Sequence, residues 1–213
     1  SMSERLTSIV NFLDNYLKVD KIKDYCPNGL QVEGRHEVFK ILGGSSELIS
    51  FEQFGSERGT VSDLFHGEGN DLWITEYGVG VFKLRLGTET LDRLYESHSW
   101  PKYAWKVIEV NDYLIVSVIQ GILVVDKRSG EIQDWAKEIG VNQVKNIFSL
   151  SKFEDNSVYI AAEQQLIKIN VKERSIDKIG IAAFPKLSDI EFVSGFDNSL
   201  YIGGTQGIYK WSP

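Results

Sequence analysis

The sequence predicts a mainly β protein: a small β-propeller of about four four-stranded blades, five if the N-terminal segment is counted, preceded by an amphipathic helix. Two observations carry this expectation. Apolar strands recur at a nearly constant interval, and the residues between them are turn formers. Four stretches align: "VFKILGGSSELISFEQF" from Val38, "VFKLRLGTETLDRLYES" from Val81, "ILVVDKRSGEIQDWAKE" from Ile122 and "LIKINVKERSIDKIGIA" from Leu166. Their starts lie 43, 41 and 44 residues apart, and in each a second strand is expected ten residues on, at Leu48, Leu91, Ile132 and Ile176.

Taken in chain order, Leu6, Ile9, Val10, Leu13, Tyr16 and Leu17 fall on one face at helical spacing, which predicts a helix over residues 5–17. Each repeat then opens with a strand ("VSDLFHG", "WKVIEVN", "VKNIFSLS", "LSDIEFVSG") and continues with "DLWITEYG", "DYLIVSVI", "SVYIAAEQ" or "SLYIGGTQ". The pair of strands aligned above completes it. Four strands in about 42 residues is the period of a propeller blade, a sheet that cannot bury both faces without neighbours. Trp105 begins a strand and is expected in the core, while Trp73, Trp135 and Trp211 are expected in strands, packing blade on blade. The chain ends on a third strand, "GIYKWSP", so an N-terminal strand is expected to pair with it and close the ring, leaving a monomer. The expected division is an N-terminal helical segment and turn over 1–36 and repeats over 37–213.

Among the 213 residues, 42% are hydrophobic and 25% charged, the balance of a folded globular chain rather than a disordered one. With 23 basic against 30 acidic residues the net charge is −7, which argues against nucleic acid as a partner. No apolar run approaches the ~18 residues that cross a bilayer as a helix, so no membrane partner is expected. The single cysteine, Cys26, has no internal disulfide partner, and the N-terminus lacks the regions of a secretory signal. Localisation reads as cytoplasmic as written, or extracytoplasmic if a signal was removed.

Two stretches resemble known families. "FEQFGSERGTVSDLFHGEGNDLWITEYGVGVF" resembles the two-component-regulator propeller repeats of bacterial sensor proteins, a resemblance that extends over residues 43–213 and implies a ligand-sensing role. "LDNYLKVDKIKDYCPNGLQVEGRHEVFKI", within residues 4–41, is similar to the N-terminus of the dinuclear-metal-centre proteins related to the yeast NGG-interacting factor, labelled type 2 GTP cyclohydrolase I. That family implies a hydrolytic site of histidines and carboxylates, including a paired His-His. Here only His36, His66 and His98 occur, none paired. A transition-metal site needs three or four converging donors, so neither metal nor cofactor is expected.

No nucleophile elbow, phosphate-cradling loop or zinc-protease motif is present, and a non-enzyme is expected, with a divergent member of the dinuclear-metal family as the alternative. Acidic runs such as "GEGND", "FEDNS" and "FDNS" precede strands and read as Asx turns. In a propeller the loops from second to third strand share a face with the connections between blades. The candidate ligand-binding residues there are Glu76, Tyr77, Gln120, Glu163, Gln164 and Gln206, with Trp100 and Tyr103 of the connection "YESHSWPKYAW". Amides at one level and exposed aromatics suit a small molecule, a glycan or a peptide.

Overall fold

The computed structural model describes residues 37–42 and 45–50, for which the backbone alone is considered, together with 60–88, 90–94 and 103–212. The helix expected over 5–17, Cys26, His36, His98 and Trp100 lie outside the described residues. Among the described residues sixteen strands are arranged in five antiparallel sheets, each strand beside its neighbour in sequence. β1 (Glu37–Leu42) and β2 (Ser45–Ser50) form a hairpin. Four larger sheets follow: β3 (Thr60–His66), β4 (Asp71–Tyr77), β5 (Gly80–Arg85) and β6 (Thr90–Arg93); β7 (Ala104–Val110), β8 (Tyr113–Val118) and β9 (Gly121–Asp126); β10 (Ile147–Lys152), β11 (Ser157–Ala162), β12 (Gln165–Asn170) and β13 (Ser175–Gly180); and β14 (Phe192–Phe196), β15 (Ser199–Gly204) and β16 (Gly207–Trp211). Four sheets of three or four strands with almost no helix fit a β-propeller, each sheet being one blade.

The blades stack through three apolar clusters, each filled from two successive sheets. Trp73, Ile74 and Phe82 meet Val107, Leu114 and Val116 in the first, Ile115 and Val124 meet Ile160 and Ile167 in the second, and Tyr159 and Leu166 meet Phe184, Leu200 and Ile202 in the third. Second strands are therefore apolar on both faces, as "SVYIAA" shows with all six residues buried. Burying one Ile, Leu or Phe side chain contributes about 1.5–3 kcal/mol, so these clusters dominate the fold's stability.

The first strands, β3, β7, β10 and β14, lie side by side in chain order, and their polar side chains bond the backbone of the next blade. Asp63 Oδ2 accepts from Val107 N–H (3.1 Å), Ser62 Oγ donates to the Ala104 carbonyl (3.1 Å), and Ser151 Oγ accepts from Gly195 N–H (2.8 Å). The Ser149 hydroxyl donates to the Val193 carbonyl (3.1 Å) and accepts from its N–H. These pairs are 42 to 44 residues apart, so the sequence period reappears as hydrogen bonds between blades.

Several expectations are corrected. The strand expected from Ile132 is a single bridge to Val125, after which a helix, α1 (Asp134–Glu138), takes the fourth strand's place. "DWAKE" lacks β-branched residues and starts with Asp, which favours a helix whose Trp135 and Ala136 are buried; the Trp135 ring meets Tyr113 edge-on at 5.9 Å. Trp135 is thus in a helix rather than a strand. Gly121 lets the following turn fit: at φ 141°, a Cβ there would stand 2.2 Å from the Asn142 carbonyl oxygen. The second strand of the first hairpin begins at Ser45 rather than Leu48, since two residues suffice to connect it to β1. Trp105, expected in the core, is 48% exposed. Among the described residues β16 pairs with β15 alone, and the expected closure by an N-terminal strand is not seen there.

Candidate functional site

The exposed Trp105 follows from a local irregularity that recurs. The register between first and second strands slips between Val61 and Asp63, between Ala104 and Lys106, and between Ile147 and Ser149. Each slip leaves one extra residue, Ser62, Trp105 or Phe148, as a β-bulge, which re-aims its side chain. Ser62 turns its hydroxyl onto Thr75 and Ala104. Trp105 and Phe148 instead stand 48% and 49% exposed. Phe192 opens β14, one repeat after Phe148, and is 48% exposed. Three successive blades therefore present an aromatic ring at the same end of their first strands.

That end is the one carrying the turns between second and third strands. Tyr77 closes β4 there, its ring centroid 4.2 Å from Trp105 and 5.1 Å from Tyr103, so one blade's strand end stacks on the next. Tyr103 is exposed, as expected. Ile119 and Ile208 add apolar side chains at the equivalent edges of the second and fourth blades. A shallow depression of about 350 Å³ lies at the fourth, lined by Glu191, Phe192, Gly203, Gly204, Thr205 and Ile208.

The polar candidates divide. Gln120, Gln164 and Gln206 are exposed, each at the tip of a different hairpin. Glu163 and Gln164 both have positive φ (50° and 58°), the two-residue turn whose twist suits a hairpin. Glu163 is engaged, its Oε1 accepting from Lys145 N–H at 2.9 Å. Asp189, one repeat after Lys145, holds the corresponding place in the fourth blade, taking both the N–H and the hydroxyl of Thr205 at 2.7 Å. Glu76 is fully buried one residue inside the strand end and is not offered to solvent. The sequence reading missed the exposure of Trp105 and Phe148, because a bulge is invisible to a period-two pattern, and it did not single out Phe192, which opens β14 in regular register. The signal that could have found them is an aromatic residue preceding the alternation in three repeats.

The opposite end carries a buried charge. Glu109 on β7 accepts from the Trp73 indole (2.5 Å) and from Lys127 Nζ (2.6 Å), and Lys127 also reaches Glu68 (3.1 Å). Gly67 makes room for it, since a Cβ there would collide with Glu109 Oε2. Burial alone would lower the Lys127 ammonium, but its hydrogen bonds to Glu109 and Glu68 outweigh this and hold it above the usual lysine range. Among the described residues no three His, Cys, Asp or Glu side chains converge to hold a metal ion.

No family model matches the chain. A GTP cyclohydrolase 1 type 2 homolog from Pseudomonas aeruginosa is 51% identical over 43 residues, 20% of this chain and 17% of that protein. The chain therefore spans less than a fifth of the curated relative it matches. Among solved structures, the extracellular domain of the hybrid two component system BT3049 from B. thetaiotaomicron is similar at TM-score 0.60 and 13% identity, over 85% of this chain and 26% of that one. The Cps50 (Swd1) β-propeller domain of Myceliophteria thermophila gives 0.58 and 11%, over 87% and 65%. A chain of the mitotic checkpoint complex gives 0.62 and 14%, over 86% and 58%. At these identities the likeness speaks for the fold alone, and it places the described repeats beside β-propeller-type domains.

Proposed function

We propose that the repeats of residues 37–213 form a non-catalytic binding or sensing module that takes a glycan, a peptide or another small molecule on the loop face, with residues 1–36 a segment apart. The observation that supports this most is the exposure of Trp105, Phe148 and Phe192 at the same end of the first strands of three adjacent blades, the first two on β-bulges. Solvent-facing rings raise the cost of a free surface and lower that of a covered one, and Trp and Tyr dominate recognition energies. Tyr77, Tyr103 and Trp100 would extend the row, with Gln120, Gln164 and Gln206 as hydrogen-bonding rim. A screen of glycans and peptides against the wild type and a Trp105→Ala, Phe148→Ala double variant tests it. A ligand of this face should bind the variant at least about thirtyfold more weakly, the effect of losing a central aromatic. Equal binding by both proteins refutes the site.

A further inference from the structure

The seams between blades are fastened at one recurring position, and the second blade breaks the pattern. In the first strands of the first three blades the residue after the bulge is Asp63, Lys106 or Ser149, opposite Thr75, Ser117 or Ala161 on the second strand. In the first blade the Asp63 carboxylate accepts from the Val107 N–H of the next blade and the Thr75 hydroxyl donates to the Trp105 carbonyl, both at 3.1 Å. In the third the Ser149 hydroxyl accepts from the Val193 N–H at 3.3 Å. Val107, Leu150 and Val193 are equivalent, standing opposite Val116, Ile160 and Ile202. By the same register the Leu150 N–H falls to Lys106.

Lysine cannot accept that hydrogen bond, because an ammonium carries three donors and no acceptor. Ser117, opposite it, is 2% exposed and its buried hydroxyl has no hydrogen-bond partner. Both residues lie on the face turned to the third blade, since Ile108 and Ile122, their neighbours on that face, belong to the cluster shared with Ile160 and Ile167. An unmet buried hydroxyl is destabilising, and so is forgoing a bond that both flanking seams make. Lys106 is half-buried, and a half-buried lysine packs its stem while keeping its ammonium in water. Among the described residues it forms no ion pair; Asp63 is near enough to act on it electrostatically but is engaged by Val107. Donors therefore meet at this seam where the other two hold an acceptor.

We propose that the seam between the second and third blades, at its loop-face end, binds a small ligand through a carboxylate. The carboxylate accepts from the Lys106 ammonium and the Leu150 N–H, taking the place that Asp63 takes at the preceding seam. This deepens the loop-face reading and rests on it for the adjoining ring, Phe148, which is 49% exposed on the bulge beside Ser149 and receives the ligand's apolar body. A singly charged group suits the place better than a phosphate. One ammonium balances one charge, and Asp63 and the net charge of −7 repel a second. A ligand held in this way ties two blades together, so binding also stabilises the fold.

The test titrates phenylacetate and phenylacetamide, alike in ring and shape but not in charge, into the full chain by calorimetry. Phenylacetate is expected to saturate a single site at least about tenfold more tightly than the amide, the effect of one hydrogen bond to a charged group. Lys106→Ser, which copies the third blade, should abolish that preference and keep or raise Tm, because the serine accepts from Leu150 itself. Phenylacetate bound equally well by Lys106→Ser and the wild type overturns the proposal, as does absence of saturation up to about 50 mM, weak even for so small a ligand. A Lys106→Ser chain that melts lower overturns it too, since the lysine then holds the seam unaided. The Trp105→Ala, Phe148→Ala variant separates this site from the aromatic reading. A preference for the acid that survives in that variant upholds the carboxylate site while the aromatic face fails. Equal binding of acid and amide by the wild type, lost in that variant, upholds the aromatic face and sinks the carboxylate site.

Discussion

Trp73 and Glu109 face each other across the boundary between the first two full blades, the indole N–H donating to the carboxylate over 2.5 Å. Both side chains are buried, and the same carboxylate holds Lys127 at 2.6 Å.

Removing one member of a buried, bonded charge pair leaves the other uncompensated, and that is the costly direction. Glu109→Ala is expected to lower unfolding free energy by about 3 kcal/mol or more. Glu68→Ala, which removes only the exposed partner of Lys127, should change it by less than about 1 kcal/mol. Urea unfolding of the two variants checks the contrast. Equal effects would mean that the Trp73 and Lys127 bonds to Glu109 carry no special weight.

The same lysine sets an alkaline limit. Its folded value is raised, so the stability it contributes is full below the ordinary lysine value near ~10.4 and is lost as pH rises through the folded one. As pH rises above about 10.4 the wild type should lose more stability than a Lys127→Met variant, and the two curves should converge once the lysine is neutral. Parallel curves in thermal melts across that range would show the lysine to be energetically silent.

Gly121 and Gly69 separate strain from collision. Both have positive φ, but only at Gly121 would a Cβ meet backbone, the Asn142 carbonyl of the turn after α1. Gly69→Ala should cost about 1 kcal/mol, whereas Gly121→Ala should cost more than about 2 kcal/mol. For a chain of this size each kcal/mol lowers Tm by roughly 2–4 °C, so calorimetry resolves the pair. Equal shifts would show that the Val141–Gln143 turn yields freely.

Period and composition made the blades legible, because the second strands are apolar on both faces and many of the turns, such as Gly67–Asn70, Asn111–Asp112 and Asp197–Asn198, hold Gly, Asn or Asp. What stayed hidden was decided by pairing rather than pattern. Ile132 opens an apolar-polar alternation like those of Leu91 and Ile176, yet "DWAKE" coils into a helix once Trp135 finds Tyr113. Trp105 looked like a strand's buried first residue until a slipped register turned it outward. In the candidate site, Tyr103 and the hairpin glutamines could be placed from turn positions. The stacking of Tyr77 on Trp105 joins two different blades and has no local signature.

Three separate apolar clusters, each shared by only two sheets, also imply how the molecule loosens. Coupling of this kind is between nearest neighbours, so opening begins where a unit has one neighbour and travels inward step by step. Among the described residues the sheets of β8 and β11 share apolar clusters on both flanks, while the β3–β6 and β14–β16 sheets each share one. Backbone amides of those two sheets should trade protons with water sooner than those of the two sheets between them.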